Sequence, residues 1–401
     1  MNKTRILDVK YALTQILYFA SFSALMGYAS VYLLGQGVSN SLIGTTLALV
    51  SIIAVFTQPM AASAVDKKVI KLQSLVNIIL IATVILSLCL YFFELPTMML
   101  LCVFVGIVTF MMTVQPLFNS MAFLFEKYGI QINYGLARGL GSAAYALASA
   151  VLGYLVEDFG TGVIPLFYII GNILLIIVVY TYVVPKNQQH LVQHEQQNKE
   201  ETEQKQLSFF QFCALYKKFM IFVVGVVLVF FTHTIINNFF IQVITPIGGT
   251  ESQMGIAVFI AAIVELPAMA MFNIMRKKIN CATLLKLSVV MFALKHLLTF
   301  LATNIFMIYV AQVLQIGAYA IFIPASVYYV NEVISKQDLV KGQSMVTVGI
   351  TASGIIANFA GGILLDAVGV YHLLMIGVVV SVVGGLIVFG SIEKKKANVI
   401  E

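Results

Sequence analysis

The chain has 401 residues, 60% of them hydrophobic and only 10% charged, with a mean hydropathy of +0.98 and a formal net charge of +6. Soluble domains are about 45 to 50% apolar and about 25% charged, so this composition excludes a water-soluble globular enzyme. The basic balance does not indicate nucleic acid, because the lysines and arginines punctuate apolar runs instead of forming a polar surface.

Apolar runs of bilayer length need ~20 residues each. The sequence predicts twelve of them, at about 11–34, 41–63, 73–93, 97–125, 134–156, 163–184, 219–245, 253–275, 282–302, 305–331, 342–364 and 372–392. The basic start MNKTRILDVK leads into an apolar stretch from Tyr11 to Leu34. That stretch exceeds the roughly 7 to 15 residues of a signal-peptide core, so it reads as a first span and not a removed leader.

With the N-terminus inside, lysines and arginines fall at 3, 5 and 10, at 67, 68 and 71, at 127, between 186 and 218, at 276–278 and 286, at 336 and 341, and at 394–396, all cytoplasmic. The outer loops carry acids instead: Glu94, Glu157, Asp158, Glu251 and Asp366. This agreement with the positive-inside rule places both termini in the cytoplasm of a multi-pass plasma-membrane protein, since one missed span would invert every later loop. Of the 23 basic residues only Arg138 and Lys295 are not assigned to the cytoplasm, and both lie inside spans.

A polar segment, 185–218, divides the predicted spans into an N-terminal bundle (1–184) and a C-terminal bundle (219–401). Its Gln, Glu and Lys content cannot bury enough apolar surface to pack, so it is expected to be a linker. His190 and His194 stand four apart there without a third ligand at fixed spacing, and no metal site or cofactor motif is predicted. Cys89, Cys102, Cys213 and Cys281 are scattered and read as small hydrophobes. The halves echo each other: GYLVEDFG (153–160) matches GILLDAVG (362–369), and QPMAASAVDKK (58–68) faintly matches ELPAMAMFNIMRKK (265–278). Two parallel repeats of six spans are a known transporter architecture.

Several stretches carry a family resemblance. QPMAASAVDKK (58–68), NYGLARGLGSAAYAL (133–147), ELP (265–267), ALKHLL (293–298) and QVLQIGAYAIFIPASVYYVNE (312–332) resemble, in order, motifs of the major facilitator superfamily. The likeness is to its lactose-permease-like branch of oligosaccharide:proton symporters. It implies an all-α membrane fold of twelve helices in two six-helix pseudo-repeats, acting as a monomer on a small solute with protons. It also puts Arg138 and Tyr145 in substrate-contact positions, and makes Asp66 with Lys67 and Lys68 a cytoplasmic gate; the plain reading of that turn is solvated charge. The chain departs from the branch in three places. Asn119 stands where a span-four carboxylate is usual, Gln315 and Ala318 replace a span-ten histidine and acid, and there is no tryptophan. The resemblance therefore does not carry over β-galactoside specificity.

A charge at a span centre costs ~2.5 to 3.5 kcal/mol on a translocon scale, so it normally faces a partner or a wet cavity. Glu265 and Lys295, with His296 beside it, lie deep in consecutive spans and are expected to pair. Either they form a static ion pair or they couple protons to transport, a role that suits a carboxylate at membrane depth. Arg138 lies about four residues into its span, where it either snorkels or lines a cavity. Polar stripes recur at helical spacing: Gln15, Tyr18 and Tyr28; Arg138, Ser142, Tyr145 and Ser149; His233, Asn237 and Gln242; Gln312, Gln315 and Tyr319. Each alone reads as helix-to-helix glue; together they suit a polyhydroxylated solute needing many neutral hydrogen bonds. His233 and His296 read first as buried hydrogen-bonding residues.

The expectation is thus proton-coupled uptake of a sugar, glycoside or nucleoside-like solute. The alternative is proton-driven efflux of drugs or metabolites. Efflux antiporters of the superfamily often carry a Gly-Pro motif in span five, and no proline occurs between 134 and 156. An enzyme is disfavoured by the lack of G-x-S-x-G, H-E-x-x-H or P-loop spacing.

Overall fold

The computed structural model describes residues 3–67, 69–126, 132–182 and 208–393, with side chains from residue 6 onward except 123, 124 and 126. Lys68, Lys127, most of the expected linker, His190 and His194, and the terminal lysines 394–396 lie outside the described residues. Every element is helical. The first bundle contains α1 (Lys3–Phe22), α2 (Ala29–Gly35), α3 (Asn40–Asp66), α4 (Leu72–Phe92), α5 (Thr97–Glu126), α6 (Tyr134–Phe159) and α7 (Val163–Tyr180). The later elements are α8 (Phe209–Leu215), α9 (Lys217–Asn238), α10 (Phe240–Ile244), α11 (Glu251–Lys278), α12 (Cys281–Phe300), α13 (Ile305–Val313), α14 (Tyr319–Val333) and α15 (Leu339–Ser391).

Among the described residues, ten helices are long and apolar enough to cross a bilayer, or eleven when the pair Ile6–Gly27 and Ala29–Gly35, bent by 47°, counts as one span. The bend falls at a wide turn, Ser23–Gly27, which inserts an extra residue per turn and breaks the α-helical ladder. The 53-residue α15 covers both of the last two predicted spans, and its only non-helical residue is Gly369 (φ 75°). A left-handed backbone is open to glycine without a Cβ penalty, so GILLDAVG supplies its own break.

Helix starts follow the sequence closely. Asn133, Asn280 and Asn304 accept from the N–H three residues on (3.1, 2.8 and 3.1 Å). Thr250 with Gln253 forms a reciprocal capping box ahead of α11. Outward faces remain apolar, with Phe56, Ile78, Ile177 and Phe306 all exposed, as lipid contact demands.

The described residues form two compact units, one of 3–38 and 46–182, the other of 39–45 and 208–393. In the first, Tyr11, Tyr28, Tyr32, Phe104, Phe118 and Tyr168 are fully buried. The last carbonyls of α7 are taken by neighbouring side chains: Gln73 Nε2 donates to Val179 O (2.8 Å) and Lys10 Nζ to Thr181 O (2.6 Å). In the second, Phe222, Phe230, Phe292, Phe322 and Tyr329 form the centre of an aromatic core. There α9 and α15 meet backbone to backbone, and a Cβ on Gly384 would stand 2.8 Å from Gly225 O. Residues 39–45 join this unit: Asp366 accepts from Asn40 Nδ2 (2.8 Å), Ser41 N (2.7 Å) and Ser41 Oγ (2.5 Å), and Gly44 meets the Asn358 carbonyl.

The glycines of α6 and α15 divide unevenly in how closely other helices approach them. Gly141, Gly349, Gly361 and Gly362 are crowded by neighbours, whereas nothing lies within 4 Å of a Cβ at Gly139 or Gly354.

Candidate functional site

In the first unit, Arg138 projects from the first turns of α6. A helical side chain leans toward the helix N-terminus by default. Arg138 does the reverse: Nη1 donates to Ser142 Oγ (2.9 Å), one turn further along, and the guanidinium lies 4.1 Å from the Phe19 ring centroid. Phe19 is sixteen residues into α1, about 24 Å along its axis from Lys3. The side chain extends away from the near end of α6, opposite to the direction that snorkelling to that end takes. Gly141 makes the arrangement possible, since a Cβ there would stand 2.6 Å from Phe19 Cδ2.

Tyr145 continues the stripe two turns on; it is half-buried, beside Phe22 (6.3 Å between centroids) and Gly27. Asn119 is half-buried on α5, and no hydrogen bond joins it to Arg138. Tyr18, expected on an open face, is turned into the bundle: 2% exposed, with its hydroxyl donated to Met111 O (3.1 Å). Gln15 and Tyr28 are likewise used internally, Gln15 Nε2 donating to Tyr11 Oη (2.9 Å) and Tyr28 Oη to Ser149 O (2.6 Å). These first-span groups therefore hold the bundle together, because each hydroxyl or amide has a backbone or buried side-chain partner.

In the second unit the expected pairing of Glu265 with Lys295 takes another form. Gln315 stands between them: Lys295 Nζ donates to Gln315 Oε1 (2.5 Å), and Gln315 Nε2 donates to Glu265 Oε1 (2.8 Å). The amide offers its acceptor to the ammonium and its donors to the carboxylate, the polarity that two opposite charges dictate. Lys295 is wholly buried, while Glu265 is half-buried. Gln315 reaches this position because the tenth apolar run is not one helix. It breaks into α13, the tight turn Leu314–Ile316, and α14. Ser288 Oγ donates to Ala318 O (2.7 Å) at the break, and Gly317 packs so closely that a Cβ would stand 2.7 Å from Met291 Cγ. The signal was present as Gly317 within the apolar run, but a single glycine does not tell a break from a packing contact.

Around this chain His233 and His296 are both buried, with ring centroids 6.3 Å apart. His233 Nε2 bonds Asn237 Nδ2 (3.0 Å) and its ring stacks on Tyr319 (5.6 Å, 24°). His296, next to Lys295 in sequence, bonds Ser381 Oγ through Nδ1 (2.8 Å). Among the described residues, His233 Nδ1 and His296 Nε2 have no hydrogen-bond partner. Gln312 is buried on α13, Tyr319 half-buried, and Asn237 exposed on α9. Ser381 was not foreseen, since nothing in SVVGGLIVFG sets it apart from helix-packing serines.

Asp66 ends α3 and is exposed, as is Lys67, whose N–H closes the helix on Ser63 O (2.9 Å). Among the described residues the one ion pair is Lys218 with Glu393 (3.5 Å), so neither Asp66, Lys67 nor Arg138 is salt-bridged. No three potential metal-ligating side chains converge among those residues.

Among the described residues, ten or eleven bilayer-length apolar helices, with ionisable side chains held inside the helix bundles, define a multi-pass membrane protein. The MFS_1 like family model matches residues 9–376, and the chain belongs to that family. Its fold is similar to the crystal structure of the nucleoside transporter NupG (TM-score 0.80, 15% identity, covering 98% of this chain and 100% of that one). It also resembles that of a bacterial homolog of the human lysosomal transporter Spinster, in an inward-facing, unoccupied conformation (TM-score 0.67, 14% identity, 98% and 97% covered). In sequence it is 26% identical over 169 residues to the Uncharacterized transporter YwbF of Bacillus subtilis (strain 168); the match spans 42% of each chain. Family and fold are those of transporters, which are not enzymes.

Proposed function

We propose that the protein imports a sugar, glycoside or nucleoside-like solute together with protons, by alternating access. In this reading α15 counts as two spans, for twelve in all, and a monomer sits in the plasma membrane with both termini in the cytoplasm. Arg138, Tyr145 and Asn119 of the first unit, and His233, Asn237, Gln312 and Tyr319 of the second, contact the solute. Glu265, Lys295 and His296 couple the proton, and Asp66 with Lys67 gates the cytoplasmic side. Tyr18 and Gln315 serve as supports for these groups.

The observation that carries the coupling is the chain Glu265–Gln315–Lys295. A half-buried carboxylate hydrogen-bonded to an amide that also holds a buried ammonium has two stable charge arrangements, with and without a proton on Glu265. Such an element links proton uptake to conformation. The fold likeness to a nucleoside transporter supports a polar, hydroxyl-rich solute over a drug-like one.

The test is uptake of labelled solute into proteoliposomes with and without an imposed pH gradient. Glu265→Gln is expected to reduce gradient-driven accumulation about 5- to 150-fold, the usual range of a 1 to 3 kcal/mol coupling, while leaving solute exchange intact. Accumulation by the wild type that is equal without any proton or voltage gradient would sink the symport reading.

A further inference from the structure

We propose that the transported solute carries one carboxylate, and that Arg138 is its receptor. This rests on the transport reading above and names the class of solute. The argument begins with charge. Apart from Lys286, whose ammonium lies 5.4 Å from the Phe389 ring centroid near the start of α12, three charged groups other than histidine lie inside the apolar runs: Arg138, Glu265 and Lys295. Two are cations and one is an anion. Glu265 and Lys295 are joined through Gln315, which leaves the charge of Arg138 to be balanced.

The described side chains of the first unit do not balance it with an ion pair. Among its described side chains, the acids Asp8, Asp66, Glu94, Glu157 and Asp158 stand at or near helix ends or in a connection. Asp8 accepts from Asn133 N (3.1 Å). It lies eleven residues before Phe19 on α1, about 16 Å along the helix. The guanidinium meanwhile turns from the near end of α6 toward Phe19 and Ser142, and Asn119 offers a neutral amide on α5.

The chemistry of the ligand follows from the side chain. Arginine has five N–H donors in a planar fork, and Ser142 takes one of them at Nη1. With Phe19 under one face, the remaining edge of the fork presents parallel donors that match a carboxylate. A single uncompensated charge fits a monoanion. A phosphate monoester, with about −1.5 to −2 charge near neutrality, exceeds it. The solute class is therefore a polyhydroxylated monocarboxylate, such as a uronic or aldonic acid or its glycoside.

The experiment uses matched pairs on the purified full-length protein: glucose with glucuronate, galactose with galacturonate, and methyl glucuronate ester as a neutral isostere. Equilibrium binding and thermal shift are read for wild type, Arg138→Gln and Arg138→Lys, with the melting temperature of each unliganded variant as the folding control. In at least one pair the acid is expected to bind about tenfold or more tightly than its neutral partner, the range of a charge-assisted hydrogen bond. That advantage should vanish in Arg138→Gln and return in part in Arg138→Lys. No preference for the acid in any pair, or a preference that survives in Arg138→Gln, overturns the proposal. Proton-driven accumulation of a neutral sugar with its acid excluded would overturn this inference while leaving symport standing. Acid binding without gradient-driven uptake would do the opposite.

Discussion

At the scale of single residues, the second unit turns on Gln315. An uncharged side chain joins two opposite charges, accepting from one and donating to the other. Replacing it with leucine leaves the wholly buried Lys295 ammonium without its acceptor, a loss of the kind that costs about 3 to 5 kcal/mol when a buried pair is broken. Gln315→Leu is therefore expected to lower the melting temperature of the purified protein and to abolish gradient-driven uptake. Adding Lys295→Met should restore most of the stability but none of the coupling. If Gln315→Leu melts and transports like wild type, the bridge contributes to neither. The residue types and depth of Glu265 and Lys295 were legible in the sequence. The part played by the intervening glutamine was not, because its position depends on the helix break in which it sits, twenty residues after Lys295.

At the scale of elements, packing between α9 and α15 is set by glycine. Gly225 and Gly384 let the two backbones touch, so Gly384→Leu must push them apart, at a cost of about 1 to 3 kcal/mol or more. Gly354, on the same long helix, has nothing within 4 Å of a would-be Cβ. Gly354→Ala should be neutral or stabilise by about 0.5 to 1 kcal/mol through helix propensity. Thermal unfolding in detergent, comparing the two variants, checks both; equal destabilisation would mean that the close approach at Gly384 has no energetic weight. In sequence Gly349, Gly354, Gly361 and Gly362 look alike, since composition cannot say which face of a helix meets a neighbour. The bend of α1 and the break before α14 were hidden for a similar reason: both lie inside apolar runs, where hydropathy is blind to backbone conformation.

At the scale of the whole molecule, the count of spans decides sidedness. If α15 crosses twice, with its turn at Gly369, then positions 336 and 395 share one side of the membrane and position 371 lies on the other. Lys336→Cys and Lys395→Cys in a cysteine-free background should be labelled by an impermeant thiol reagent only from the cytoplasmic side, and Tyr371→Cys only from outside. Labelling of positions 336 and 395 from opposite sides would exclude the twelve-span arrangement. Sidedness matters to mechanism because symport of a monoanion with one proton carries no net charge, so such uptake should follow an imposed pH gradient and ignore an imposed voltage.

What the sequence determined by itself was what depends on amount and order along the chain. Apolar length fixed a multi-pass helical membrane protein, asparagine and threonine caps set where several helices begin, and motif order pointed to the superfamily. It also singled out Arg138, Glu265 and Lys295, because a charge in an apolar run is conspicuous wherever it points. Tertiary structure alone decided where those side chains point and what they meet: Arg138 along α6 to Ser142 and Phe19, Lys295 to Glu265 through Gln315, His296 to Ser381, Tyr18 into its own bundle. The physical reason is that burial and helix formation are set by local composition, whereas hydrogen-bond partners at membrane depth are chosen among helices distant in sequence. There, each polar group must find a partner within about 3 Å or bear the full cost of desolvation.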